Sequence, residues 1–100
     1  MKYHELKCWP QNFNATIKDL KLFEIRKNDR DFKVGDILRL MEYHPELQQY
    51  TGENLFAKVT YIVDSPEWVK EGFVVMGTEK LGFITWPGGM GDAKGRPRDT

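Results

Sequence analysis

Cysteine is nearly absent from this chain: Cys8 stands alone. One thiol excludes an intramolecular disulfide and fits a reducing compartment, so a cytoplasmic setting is expected. Beside Trp9 at the end of an expected strand, it reads as a buried, inert thiol. Histidine is as scarce, with His4 and His44 far apart and in no pairing motif. A structural zinc site needs four Cys or His ligands and a catalytic one about three protein ligands, so no metal site is expected and no cofactor is implied. The single serine, Ser65, is better explained as a helix cap than as a nucleophile. No apolar run approaches the roughly 18 residues that span a bilayer, so no membrane partner is expected. The opening MKYHELK lacks an apolar stretch, so no secretory leader is expected either.

An excess of one charge is also missing: 15 Lys and Arg stand against 15 Asp and Glu. Nonspecific nucleic-acid binders usually carry a basic excess, because phosphate neutralisation drives their affinity. Locally, residues 18–39 hold seven basic residues (Lys18, Lys21, Arg26, Lys27, Arg30, Lys33 and Arg39) against five acidic ones. That surplus permits a nucleic-acid partner without requiring one. The late glycines are not followed by the Lys-Ser or Lys-Thr of a phosphate-cradling loop.

What is present is enough for one small domain. A chain of 100 residues with 40% apolar content can bury a modest core unaided. Alternation over residues 3–7 predicts a first strand. Pro10 suits a first helical turn, and Phe13, Ile17 and Leu20 recur at helical spacing, predicting a helix over 10–18 with a core-facing stripe. Strands are expected at 21–26, 37–43, 55–63, 73–76 and 78–85, with a polar loop over 44–54. Turn formers dominate 27–35, where Phe32 and Val34 are expected to anchor the segment and Gly35 to take a positive φ. Ser65-Pro66-Glu67-Trp68 predicts a second helix start. The class expected is α+β, a small barrel of five to six mostly antiparallel strands with one or two short helices. Residues 1–86 form the expected domain and residues 87–100 a flexible tail.

The chemistry concentrates between Lys21 and Leu38. Residues two apart in a strand share a face, so Glu24 and Arg26 lie together with Leu22, and Phe23 and Ile25 lie opposite. The apolar face is expected to meet a core and the charged face to meet solvent or a ligand. Arg26 suits a phosphate, a carboxylate or a stacked base. Glu24 suits the exocyclic amine of cytosine or the amide face of a modified base. Lys21, if desolvated, suits the role of base or nucleophile. The plain alternative is a solvated Glu24–Arg26 pair, worth about 0–1 kcal/mol.

Lys21-x-x-Glu24-x-Arg26 resembles the G-x-K-x-x-E-x-R signature of the ASCH domains, a branch of the PUA-like superfamily, with Asp19 in place of the glycine. FEIRKNDRDFKVGDIL, then EY, YTG, VTYI and GFVVMG, resemble in the same order a small bacterial and phage family of unknown function within that superfamily, over about residues 3–78. The resemblance implies a PUA-like β-barrel with a cleft lined by Lys21, Glu24 and Arg26 and rimmed by Lys27, Asn28 and Arg30. It implies RNA or a modified nucleoside or nucleotide as partner, and nothing in it assigns an oligomeric state. One branch of the superfamily hydrolyses acetylated cytidine with a Lys, a Thr and a Glu. Lys21 matches that lysine, Glu24 occupies the threonine position, and Glu67 or Glu71 equates only loosely with the glutamate. Three readings follow: an RNA- or nucleotide-binding domain, a small amidohydrolase on an acylated nucleoside, and a phage or prophage protein-interaction domain.

Overall fold

Alternation along β1 (Tyr3–Cys8) turns His4, Leu6 and Cys8 inward, which makes one face of the strand part of a core. The computed structural model describes residues 1–85; the tail expected over 87–100 lies outside them. After β1 come α1 (Pro10–Ile17), β2 (Phe23–Lys27), β3 (Ile37–His44), β4 (Gln49–Val63) and β5 (Phe73–Thr85). The α+β class holds: one five-stranded sheet in the order β1-β3-β4-β5-β2 curls into a half-barrel beside a single short helix. β1 runs parallel to β3 and every other pairing is antiparallel.

Register shifts between Met41 and Tyr43, between Phe56 and Ala57, and between Val59 and Tyr61 mark irregularities of the kind that bend strands and increase twist. The curl encloses a core of Leu6, Phe13, Phe32, Leu38, Leu40, Leu55, Val59, Val74 and Met76, with Cys8 and Ala57 filling between them. It stops short of closure, because β1 and β2 are the two ends of the strand order and form no ladder with each other. A seam is left between these edges. Arg30, in the loop after β2, crosses it to donate from Nη1 to the Glu5 carbonyl at 2.7 Å.

Helix α1 starts at Pro10 after Trp9, which supplies no side-chain cap, and packs Phe13 toward Phe83 of β5 with ring centroids 6.4 Å apart. Leu20 falls beyond the helix end and is exposed rather than part of the core stripe. Val34 is likewise exposed, so Phe32 alone anchors its segment. Gly35 takes the expected positive φ, at +95°.

Three expected boundaries moved. β4 begins at Gln49, inside the expected polar loop, because main-chain pairing of Tyr43 with Tyr50 needs no apolar pattern. The two last strands are one, β5. Gly77 pairs opposite the register shift in β4 instead of breaking the strand, and a Cβ there would sit 3.0 Å from Thr60 Oγ1. Ser65 opens only a turn, with the Trp68 and Val69 amides donating to its carbonyl at 3.0 and 2.9 Å. Trp68 is exposed, so the largest apolar side chain of this segment adds no packing that would extend a helix.

Candidate functional site

The five residues FEIRK of β2 define the site, and they face the opposite way from the sequence expectation. Glu24 is 2% exposed, whereas Phe23 and Ile25 are 44% and 57% exposed. Ladder register decides this. Glu24 pairs with Met76 and Arg26 with Val74, both core residues, and partners across a ladder share a face. The charged side therefore points into the half-barrel and the apolar side points out.

Inside, Glu24 is clamped from two directions. Lys21 Nζ donates to Oε2. Arg26 donates to Oε1 from Nε at 3.1 Å and lies 3.0 Å from it through Nη2. This is a buried cation–carboxylate–cation triad, not a solvated pair. Both oxygens accept from these cations, so Glu24 fixes the positions of Lys21 and Arg26 at the cavity wall.

The turn after α1 delivers Lys21. The Leu20 and Lys21 amides both donate to the Ala15 carbonyl, at 2.9 and 3.1 Å, and Asp19 sits at φ +58°. Aspartate tolerates that left-handed conformation, so Asp19 reproduces the backbone that glycine would supply. Lys80 pins the turn through the Ile17 carbonyl at 2.7 Å and Asp19 Oδ2 at 3.1 Å.

The triad forms one wall of a cavity of about 590 Å³ at the seam. The opposite wall is Lys7, Cys8 and Trp9 at the end of β1, with Asn12 of α1, and the outer rim is Phe23 and Ile25. Among the described residues its charged lining is Lys7, Lys21 and Arg26 against Glu24, so the space favours an anion. Aromatic rings flank the cations. Lys21 Nζ lies 5.3 Å from the Phe23 ring centroid, Lys7 Nζ lies 4.4 Å from that of Tyr43, and Trp9 and Tyr43 are 5.8 Å apart.

Lys27 and Arg30 line a smaller recess of about 160 Å³ that also includes Arg26. Asn28 borders neither space, and its amide donates to the Gly72 carbonyl at 2.9 Å. Sequence reasoning missed Lys7, Trp9 and Asn12. The one available signal was an aromatic residue at the helix N-cap, where Ser, Thr, Asp or Asn is the usual choice.

Cys8 borders the cavity but is chemically muted. Burial, joined by the Glu24 charge, pushes its thiol up to about 11. Iodoacetamide at neutral pH is expected to leave Cys8 unmodified in the folded protein and to label it in denaturant, as read by intact mass. Rapid labelling of the native protein would contradict this burial.

The described residues 3–78 match the family described as a domain of unknown function, DUF3850. This chain belongs to that family. The DUF3850 match covers all of β1 to β4 and the part of β5 that pairs with β2, and so includes both walls of the cavity. A relative, the uncharacterized 12.9 kDa protein in the GpA 3' region of Escherichia phage P2, is 31% identical over 70 residues. The match spans 70% of this chain and 62% of the length of that protein. A small family with phage members is thus what the sequence resemblance reached correctly.

Proposed function

We propose that the seam cavity is a nucleotide-binding cleft of ASCH, PUA-like type, and that its ligand is RNA or a nucleoside or nucleotide derived from it. The observation that carries this reading is the guanidinium of Arg26. It is held in place by a buried carboxylate while still a quarter exposed at the cavity wall. Arginine has five donors and Glu24 engages its Nε and Nη2, so the remaining N–H groups suit a phosphate or a base edge. Trp9 and Phe23 supply faces on which a base can stack, and Lys7 and Lys21 add charge for phosphate. The size of the space fits one small ligand.

Titration of the protein with single-stranded and hairpin RNAs at low salt tests this, read by anisotropy. Binding is expected to weaken as salt rises. Trp9→Ala is expected to lower affinity about tenfold through the loss of one stacking face. Absence of binding above background with every RNA would remove the reading.

A small amidohydrolase acting on acylated nucleosides is the second reading, favoured by the Lys21–Glu24 contact beside the cavity. Water would add to the acyl carbonyl and the nucleobase amine would leave with a proton. Chromatography of acetylated nucleosides incubated with protein decides it: turnover abolished by Lys21→Ala supports the enzyme, and no turnover on any member excludes it for that panel.

A further inference from the structure

A second cavity, of about 800 Å³, reaches from Arg26 and Arg30 across the outward faces of β1 and β3 and shares Lys7 and Arg26 with the first. The two spaces therefore abut, and the cations at their junction belong to both. Beyond the junction the second cavity repeats the chemistry of the first. Tyr3, Tyr50 and Phe56 provide aromatic walls, and Arg30 and Arg39 provide charge.

Arg39 is held, as Arg26 is, by polar partners, here on the two neighbouring strands. Its Nε donates to Asn54 Oδ1 and its Nη1 to Glu5 Oε2, each at 3.0 Å. From one cavity to the other the order is thus aromatic faces, then a cationic junction, then aromatic faces again. A base–phosphate–base repeat has that alternation.

We infer that the second cavity is a subsite for the adjoining nucleotide, so that the ligand is a single-stranded nucleic acid and not an isolated nucleotide. This rests on the reading of the first cavity as a nucleotide site. The two spaces share Lys7 and Arg26 as lining, so a strand can continue from one to the next across these cations. Stacking on these aromatic faces needs splayed, unpaired bases, which a duplex does not offer. Either ribose or deoxyribose backbones carry this chemistry, and the test separates them.

The chain is titrated at low salt with adenosine and cytidine monophosphates, and with single strands running from dinucleotide to octanucleotide, as RNA and as DNA. A blunt RNA duplex completes the set. Affinity is expected to rise about tenfold or more between the mononucleotide and the tetranucleotide, as the second stacking site fills. Tyr3 is 67% exposed, so Tyr3→Ala truncates a wall of the second cavity without disturbing the core. It is expected to lower tetranucleotide affinity about tenfold more than mononucleotide affinity.

A steep length dependence in the RNA series alone supports the inference and assigns RNA. The same dependence in both series supports it and assigns a strand read without its 2'-hydroxyl. Mononucleotides binding as tightly as oligomers, or a duplex binding as tightly as a single strand, overturns the second subsite and leaves the first cavity's reading intact. No binding by any probe overturns both.

Discussion

Arg26→Ala is expected to reduce the affinity for single-stranded RNA by at least about tenfold, the loss of one bidentate or charge-assisted contact, and to lower the melting temperature at the same time. Both effects trace to one carboxylate. Removing one partner of a buried ion pair costs about 3–5 kcal/mol when the remaining charge is left uncompensated. Here the cost is expected nearer 2 kcal/mol, because Lys21 remains on Glu24 and the Arg26 side chain is 25% exposed. For a domain of this size that corresponds to a fall of roughly 10 °C. Arg26→Lys separates the two effects. It restores a charge beside Glu24 and so most of the stability, but it lacks the planar fork and recovers little of the binding. Thermal melts and RNA titrations on both variants check this. If Arg26→Lys bound RNA as tightly as the parent, the guanidinium geometry would not be the recognition element.

A larger loss of stability is expected at Asp36, away from the cavity. Its buried carboxylate takes the Lys2 amide on Oδ1 at 3.0 Å, and the His4 ring at 2.8 Å and the Lys33 amide at 3.0 Å on Oδ2. His4 also packs on Phe32, with ring centroids 4.6 Å apart. The carboxylate thus ties the chain before β1 to the turn before β3. Asp36→Ala leaves the buried His4 ring and the part-buried Lys2 and Lys33 amides without this partner, and about 3 kcal/mol is expected overall. Urea unfolding measures it, and a loss under about 1 kcal/mol would mean that water replaces the carboxylate at little cost.

The same residue sets an acid limit. Burial pushes the Asp36 carboxyl up, but the His4 hydrogen bond and the Lys2 and Lys33 amides outweigh it and hold it below the ordinary 3.8. A carboxyl with a depressed folded-state value contributes its stability in full above the unfolded value. That contribution is lost as pH falls from 3.8 through the lower folded-state value. Asp36→Asn is expected to remove this part of the acid limb, as read by urea unfolding across acid pH.

Much of the fold was legible because local patterns suffice for it. Alternation marked β1, helical spacing and Pro10 marked α1, and the turn formers around Gly35 marked the entry to β3. The errors fell where local pattern carries no information. Gly77 reads as a strand break, yet it faces an irregularity in the partner strand. Ser65-Pro66-Glu67 reads as a helix start, yet the Trp68 that follows stays exposed instead of packing. In the site, the spacing of Lys21, Glu24 and Arg26 announced a cluster. Lys7 and Trp9 were invisible as partners, because only the curl of the sheet brings the end of β1 opposite β2.

By itself the sequence determined the kind and order of β1, α1, β2, β3 and β4, the lack of a disulfide within the chain, and the grouping of Glu24 with Arg26 on one side of a strand. Tertiary structure decided which side that was. A strand with apolar residues on one face and ions on the other has two orientations, and local propensity does not choose between them. The ladder to β5 chose, by setting Glu24 and Arg26 level with Met76 and Val74. The sheet's curvature then placed the second edge across the gap, and with it the cavity.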